Sequence, residues 1–119
     1  MIKFYGYSKW STVRKAKAWL KENNLEFEDI EIVKTPPTKE ELKKMYEVSG
    51  YELKKFFNTS GVRYRELGLK DVVKTESDEK LLEILSSDGM LIKRPIAFNG
   101  KNVVVGFKEN EWKEKLLQI

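Results

Sequence analysis

The chain has 119 residues, 40% of them apolar and 12% aromatic, which is the make-up of one packed domain rather than of a disordered segment. It contains neither Cys nor His, which excludes disulfides, thiolate catalysis, sulfur-ligated metals and the usual imidazole base; chemistry near neutral pH falls to carboxylates, Lys, Tyr or Ser. The net charge of +4 arises from 23 basic residues interspersed with 19 acidic ones, so no stripe for direct nucleic-acid binding is expected. No apolar run approaches the ~18 residues of a membrane span and the N-terminus has no secretory apolar region, so a cytoplasmic protein without membrane contact is expected.

Ile2 to Tyr5 reads as a short apolar strand ending at Gly6. A helix follows from about Ser11 to Asn24: Val13, Ala16, Trp19 and Leu20 recur near helical spacing, and Asn23-Asn24 stops it. Phe27 to Val33 reads as a strand carried by Ile30 and Ile32, and strand, helix and strand in this order make a parallel unit. Pro36-Pro37 then interrupts the chain. Thr38-Lys39-Glu40-Glu41 is a capping box for a helix with Leu42, Met45 and Tyr46 on one stripe, closed by Gly50. Leu53, Phe56 and Phe57 mark a further helical turn buried in the core. Ser77-Asp78-Glu79 opens a helix burying Leu81, Leu82, Ile84 and Leu85 and closing at Asp88-Gly89. Tyr64 and Arg65 are read as packing this helical middle, with a partner contact as the alternative for Arg65, and no separate element is assigned to residues 58–76. Ile96 to Phe98 and Val103 to Val105 flank the hairpin signal Asn99-Gly100, with Pro95 at the start of the first strand. Glu109 to Leu117 ends the chain as a helix with Trp112 and Leu116 inward. The order is βαβ, then helices, then ββα.

That order is the α/β arrangement of thioredoxin-like domains with a helical insert, here at about 36–90 of a single domain spanning 1–119. The residues are more specific. Tyr5-Gly6-Tyr7-Ser8-Lys9-Trp10-Ser11-Thr12-Val13-Arg14-Lys15-Ala16 resembles the active-site stretch of the arsenate reductase-like family, which includes the redox regulators Spx and MgsR. In that family the stretch reads Tyr-x-x-Pro-x-Cys-Ser/Thr-x-Cys-Arg-Lys-Ala. Phe56-Phe57-Asn58-Thr59-Ser60-Gly61, Tyr64 to Lys70, Ser87 to Pro95 and Val105-Gly106-Phe107-Lys108-Glu109 resemble further family blocks, so the likeness covers essentially the whole chain.

The departures from the family fall on its chemistry. Trp10 stands at the nucleophilic Cys position, Val13 at the second Cys and Ser8 at the Pro, while Ser11 and Arg14 keep the family pattern. A thiol at a helix N-terminus is made reactive by free amides and the helix dipole; an indole cannot ionise in this way, and Ser11 has no His to act as its base. The resemblance implies three Arg residues around a bound oxyanion, of which only Arg94 is matched. Asn58 takes one position, as in the Spx- and MgsR-like branch, and Phe107 or Lys108 takes the other. No catalytic residue, metal ligand or cofactor site is therefore assigned.

Two places retain the character of a binding site. The resemblance implies that Pro95 follows a cis bond and that Arg94-Pro95 faces the active-site helix, where backbone groups meet an extended peptide; the plain alternative is that Pro95 shapes the start of a strand. Free amides near Ser11 and Thr12, with Lys9, Arg14 and Arg94, offer a weak small-anion site, unless Ser11 or Thr12 simply caps the helix. Trp10 has two readings, an exposed anchor on a loop tip or a plug folded over the vacated pocket.

The sequence is thus read as a redox-inactive, monomeric, protein-binding member of the family, with transcription as one setting. The resemblance implies the C-terminal domain of the RNA polymerase α subunit as a partner. The alternative is an arsenate reductase-type or glutathione-dependent thiol oxidoreductase that draws its thiols from glutathione or a partner protein.

Overall fold

The computed structural model describes residues 1–117. In chain order they form β1 (Ile2–Gly6), α1 (Ser11–Glu22), β2 (Phe27–Glu31), α2 (Lys39–Ser49), a 3-10 turn (Leu53–Phe56), α3 (Val62–Glu66), α4 (Leu69–Thr75), α5 (Asp78–Ser87), a second 3-10 turn (Gly89–Leu91), β3 (Ile96–Phe98), β4 (Val103–Val105) and α6 (Glu109–Trp112), which runs on as a π turn over Lys113–Leu117. Residues Met1–Glu31 with the chain from Arg94 onward make one compact unit, and Ile32–Lys93 makes another.

The first unit holds the sheet, in the order β2-β1-β3-β4. β1 runs parallel to β2, with Ile2 opposite Phe27, and antiparallel to β3, with Phe4 opposite Ala97; β3 and β4 pair antiparallel as a hairpin. This is the βαβ…ββα thioredoxin-like arrangement expected from the sequence. Phe4, Trp19, Phe107 and Trp112 meet edge to face, and Trp112 donates its indole N–H to the Gly106 carbonyl at 2.8 Å. The Trp19 indole nitrogen is buried without a partner.

Several boundaries shift for local reasons. α1 ends at Glu22 because Asn23 turns both its backbone and side-chain N–H groups to the Trp19 carbonyl and Asn24 takes a left-handed φ of 57°. β2 stops at Glu31, not Val33; Ile32 is fully buried in the second unit and Val33 is exposed. The hairpin loop is four residues, 99–102, because the Asn99 Oδ1 accepts from the N–H groups of Lys101 and Asn102 at 2.9 and 2.7 Å. A single closing helix over 109–117 was the expectation; its second half is instead a π turn, with Trp112 and Leu116 buried as expected.

In the second unit the Thr38 capping box forms in full, and Gly50 closes α2 at φ 73°. Lys39 pairs with Glu79 and Glu83 of α5; the hydrogen bond from Lys39 holds the Glu79 carboxyl below the usual carboxylate range. Ile84 is half-buried rather than buried. The unassigned stretch 58–76 contains α3 and α4, whose only buried residues are Tyr64 and Leu69, too few to leave a period in the sequence. Arg63 binds Asp88 and Glu66, so these two acids serve an ion pair on α3.

Gly89 lies directly beneath the Ile32 carbonyl, which a Cβ at that position would overlap. Gly89→Ala is therefore expected to destabilise the protein by about 1–3 kcal/mol, the usual range for an inserted methyl in a closed contact. Urea unfolding followed by circular dichroism measures it; an unchanged midpoint would contradict the contact.

Candidate functional site

The site is built at the end of β1, within the first unit. Tyr7 follows Gly6, and a turn is closed by the Trp10 N–H donating to the Tyr7 carbonyl at 3.0 Å. Ser8 and Lys9 are exposed at its tip, where the Ser8 N–H donates to the Glu31 carboxylate at 3.3 and 3.4 Å. Gly6 has a steric reason: a Cβ there would come within 2.7 Å of Val13 Cγ1 and 2.8 Å of the Phe4 ring. The missing side chain lets Val13 seat fully buried in the core beside Phe4. The second family Cys position is thereby a core position.

Trp10 is the residue that caps α1, in extended geometry with φ −91° and ψ 130°, and its side chain makes no capping bond. Ser11 and Thr12 accordingly lie inside the first turn and do not cap it, which corrects the plain reading of those two hydroxyls. Both are exposed, as is Arg14, whose N–H donates to the Trp10 carbonyl at 3.3 Å. The first-turn amides of α1 thus have no side-chain cap, and the Glu31 carboxylate lies at the turn ahead of them.

Arg94 is 2% exposed, and its guanidinium carbon lies 4.4 Å from the centre of the Trp10 ring and 5.5 Å from that of Tyr7. The two rings meet edge to face at 6.5 Å. The half-buried Trp10 side chain packs against the core of this unit. The indole is held between Arg94 and the core rather than projecting freely. The Arg94-Pro95 bond is cis, and the Pro95 carbonyl accepts from the Gly106 N–H at 2.8 Å.

The remaining oxyanion positions carry no guanidinium. Phe107 sits in the aromatic cluster 5.1 Å from Trp112, and Lys108 is exposed ahead of α6. In the second unit Asn58 is buried, donates its backbone N–H to Leu91 at 2.8 Å and packs its amide against Gly61. The structure brings Trp10 and Arg94 together and leaves Lys9, Ser11, Thr12 and Arg14 on the surface. Tyr7 as the second aromatic partner of Arg94 was missed in the sequence, although an aromatic three residues before Trp10 is a readable signal. Among the described residues no group of three or more Asp or Glu is placed to hold a metal ion.

A mixed β2-β1-β3-β4 sheet, a helix opening just after β1 and a cis-Pro ahead of β3 define a thioredoxin-fold protein of the arsenate reductase-like class. The chain belongs to the ArsC family, whose profile matches residues 5–115. It is 55% identical over 113 residues to the protein YusI of Bacillus subtilis, covering 95% of this chain and 96% of that protein. The regulatory protein MgsR of the same organism is 28% identical over 92% of this chain and 86% of its own. The global transcriptional regulator Spx of Streptococcus agalactiae is 29% identical over 93% of this chain and 80% of its own. Among solved structures, the solution structure of SACOL0876 from Staphylococcus aureus superposes with a TM-score of 0.91 at 48% identity, covering 98% of this chain and 99% of that one. No helix of the described residues is long and apolar enough to cross a membrane.

The cation–π contact predicts a contrast. Trp10→Ala is expected to destabilise by about 1–2 kcal/mol, the range for a partly desolvated cation–π pair. Ser11→Ala, which removes no cap, is expected to stay within about 0.5 kcal/mol. Denaturant unfolding of the two variants checks this; a capping-sized loss of ~1 kcal/mol at Ser11 would contradict the assignment.

Proposed function

We propose that this chain is a redox-inactive, protein-binding member of the ArsC family that acts in the cytoplasm in a transcription-related role. The observation that carries the reading is the double replacement at the family's thiol positions: Trp10 is stacked on Arg94, and Val13 is buried in the core. With no Cys in the chain, no side chain can form the covalent sulfur intermediate that the family's site serves. The likeness to proteins named as regulators, MgsR and Spx, supports a regulatory setting.

The binding face is the exposed opening of α1, formed by Lys9, Ser11, Thr12 and Arg14. Uncapped amides and the positive end of the helix dipole lie there beside two basic side chains, an arrangement that accepts a carboxylate. The partner is therefore a protein presenting an acidic side chain, and small anions bind the same place weakly. Arg94 is too buried to touch a partner and acts instead by holding Trp10, while Pro95 fixes the chain behind it.

The C-terminal domain of a bacterial RNA polymerase α subunit, titrated into isotope-labelled protein, tests this reading. Saturable amide shifts centred on Lys9 to Arg14 are expected. The charge reversal Lys9→Glu/Arg14→Glu should weaken binding about tenfold, or ~1.4 kcal/mol. Absence of saturable binding, or affinity indifferent to that reversal, would overturn the proposal.

A further inference from the structure

The second unit holds an open cavity of about 480 Å³ that the reading above does not use. It is lined by Glu52, Lys54, Lys55, Phe57, Thr59 and Lys93. Its frame is fixed by backbone hydrogen bonds. The Leu53–Phe56 turn places Lys54 and Lys55 side by side, and the Phe57 N–H donates back to the Lys54 carbonyl at 3.0 Å. Phe57 then pairs antiparallel with Ile92, the Lys93 N–H donates to the Phe56 carbonyl at 2.8 Å, and the Asn58 N–H donates to Leu91 at 2.8 Å. This ladder holds the two lysines of the turn and Lys93 around one opening. The Lys55 ammonium is further steadied over the Tyr51 ring at 4.3 Å.

The charges of this opening are not satisfied internally. Among the described residues no carboxylate pairs with Lys54, Lys55 or Lys93. Three ammonium groups against the single carboxylate of Glu52 leave a local charge of +2 at the lining. Thr59 supplies a hydroxyl that donates or accepts, while the Phe57 ring is buried against Tyr64. Lysine carries a compact charge with three rotatable donors, and a group of lysines can bind a phosphate as point charges. The size lies in the range of small-ligand sites, roughly 300–1,000 Å³.

We propose that this cavity binds a phosphomonoester, its charge of about −2 near neutral pH balancing the lysines. Glu52 accepts a hydrogen bond from a donor elsewhere on the ligand. The site is independent of the protein-binding face on α1, so either assignment stands if the other fails.

Nuclear magnetic resonance titration of the full chain with phenyl phosphate tests the site, with benzenesulfonate as a monoanion of similar shape. Saturable shifts at the amides of residues 52–59 and 93 are expected, with phenyl phosphate tighter than benzenesulfonate. Lys54→Gln/Lys93→Gln, at two exposed positions, should weaken binding about tenfold or more, whereas Lys15→Gln should leave it unchanged. A phosphoserine tetrapeptide distinguishes the sources: tighter binding than phenyl phosphate assigns a protein-borne phosphate, and weaker binding a free small molecule. No saturable shift at those amides up to about 10 mM, equal affinity for benzenesulfonate, or a double variant that binds like the native chain would overturn the proposal.

Discussion

The contact between the Trp10 indole and the Arg94 guanidinium, 4.4 Å from carbon to ring centre, governs what this site can do. A buried guanidinium must be compensated, and the family resemblance implies a bound oxyanion and an ionised sulfur as its natural complement. Here the negative faces of aromatic rings take part in that compensation, with Tyr7 lying beside Trp10 as a second, more distant ring. The two rings lie against a charged residue that is 2% exposed.

The two thiol positions were lost in different physical ways. At the first, a large side chain replaced a small one, and it leans over Arg94 from the cap of α1. At the second, a side chain of similar bulk was absorbed into the core, where Gly6 leaves the room that Val13 occupies. The opening of α1 is exposed at Ser11, Thr12 and Arg14. Its amides have no side-chain cap, and Lys9 and Arg14 remain at the surface beside them. The resemblance implies sulfur chemistry at this place, and this chain has no Cys to carry it.

The parts of the fold readable in the sequence were those where one physical rule acts alone. The capping box at Thr38, the left-handed Gly50 and the paired valine and isoleucine strands at β3 and β4 stand where the pattern put them. Short helices α3 and α4 were not readable individually, because each buries a single side chain. The four-residue hairpin loop escaped because the Asn99 side chain accepts two backbone bonds, which an Asn-Gly pair alone does not announce. At the site, the motif positions were legible and their roles were not. The sequence placed Ser11 and Thr12 among candidate caps, yet the chain bends one residue earlier, and the stacking of Trp10 and Tyr7 on Arg94 depends on contacts made by residues more than eighty positions apart.

The most direct measurement is arsenate reduction by highly purified protein supplied with glutathione and glutaredoxin, followed as coupled consumption of reducing equivalents. A chain without sulfur of its own should turn over no faster than the mixture lacking it, at any concentration of the protein. Turnover that scales with the protein and disappears in Arg94→Ala would contradict the account, since it would mean that the enclosed guanidinium still serves an oxyanion.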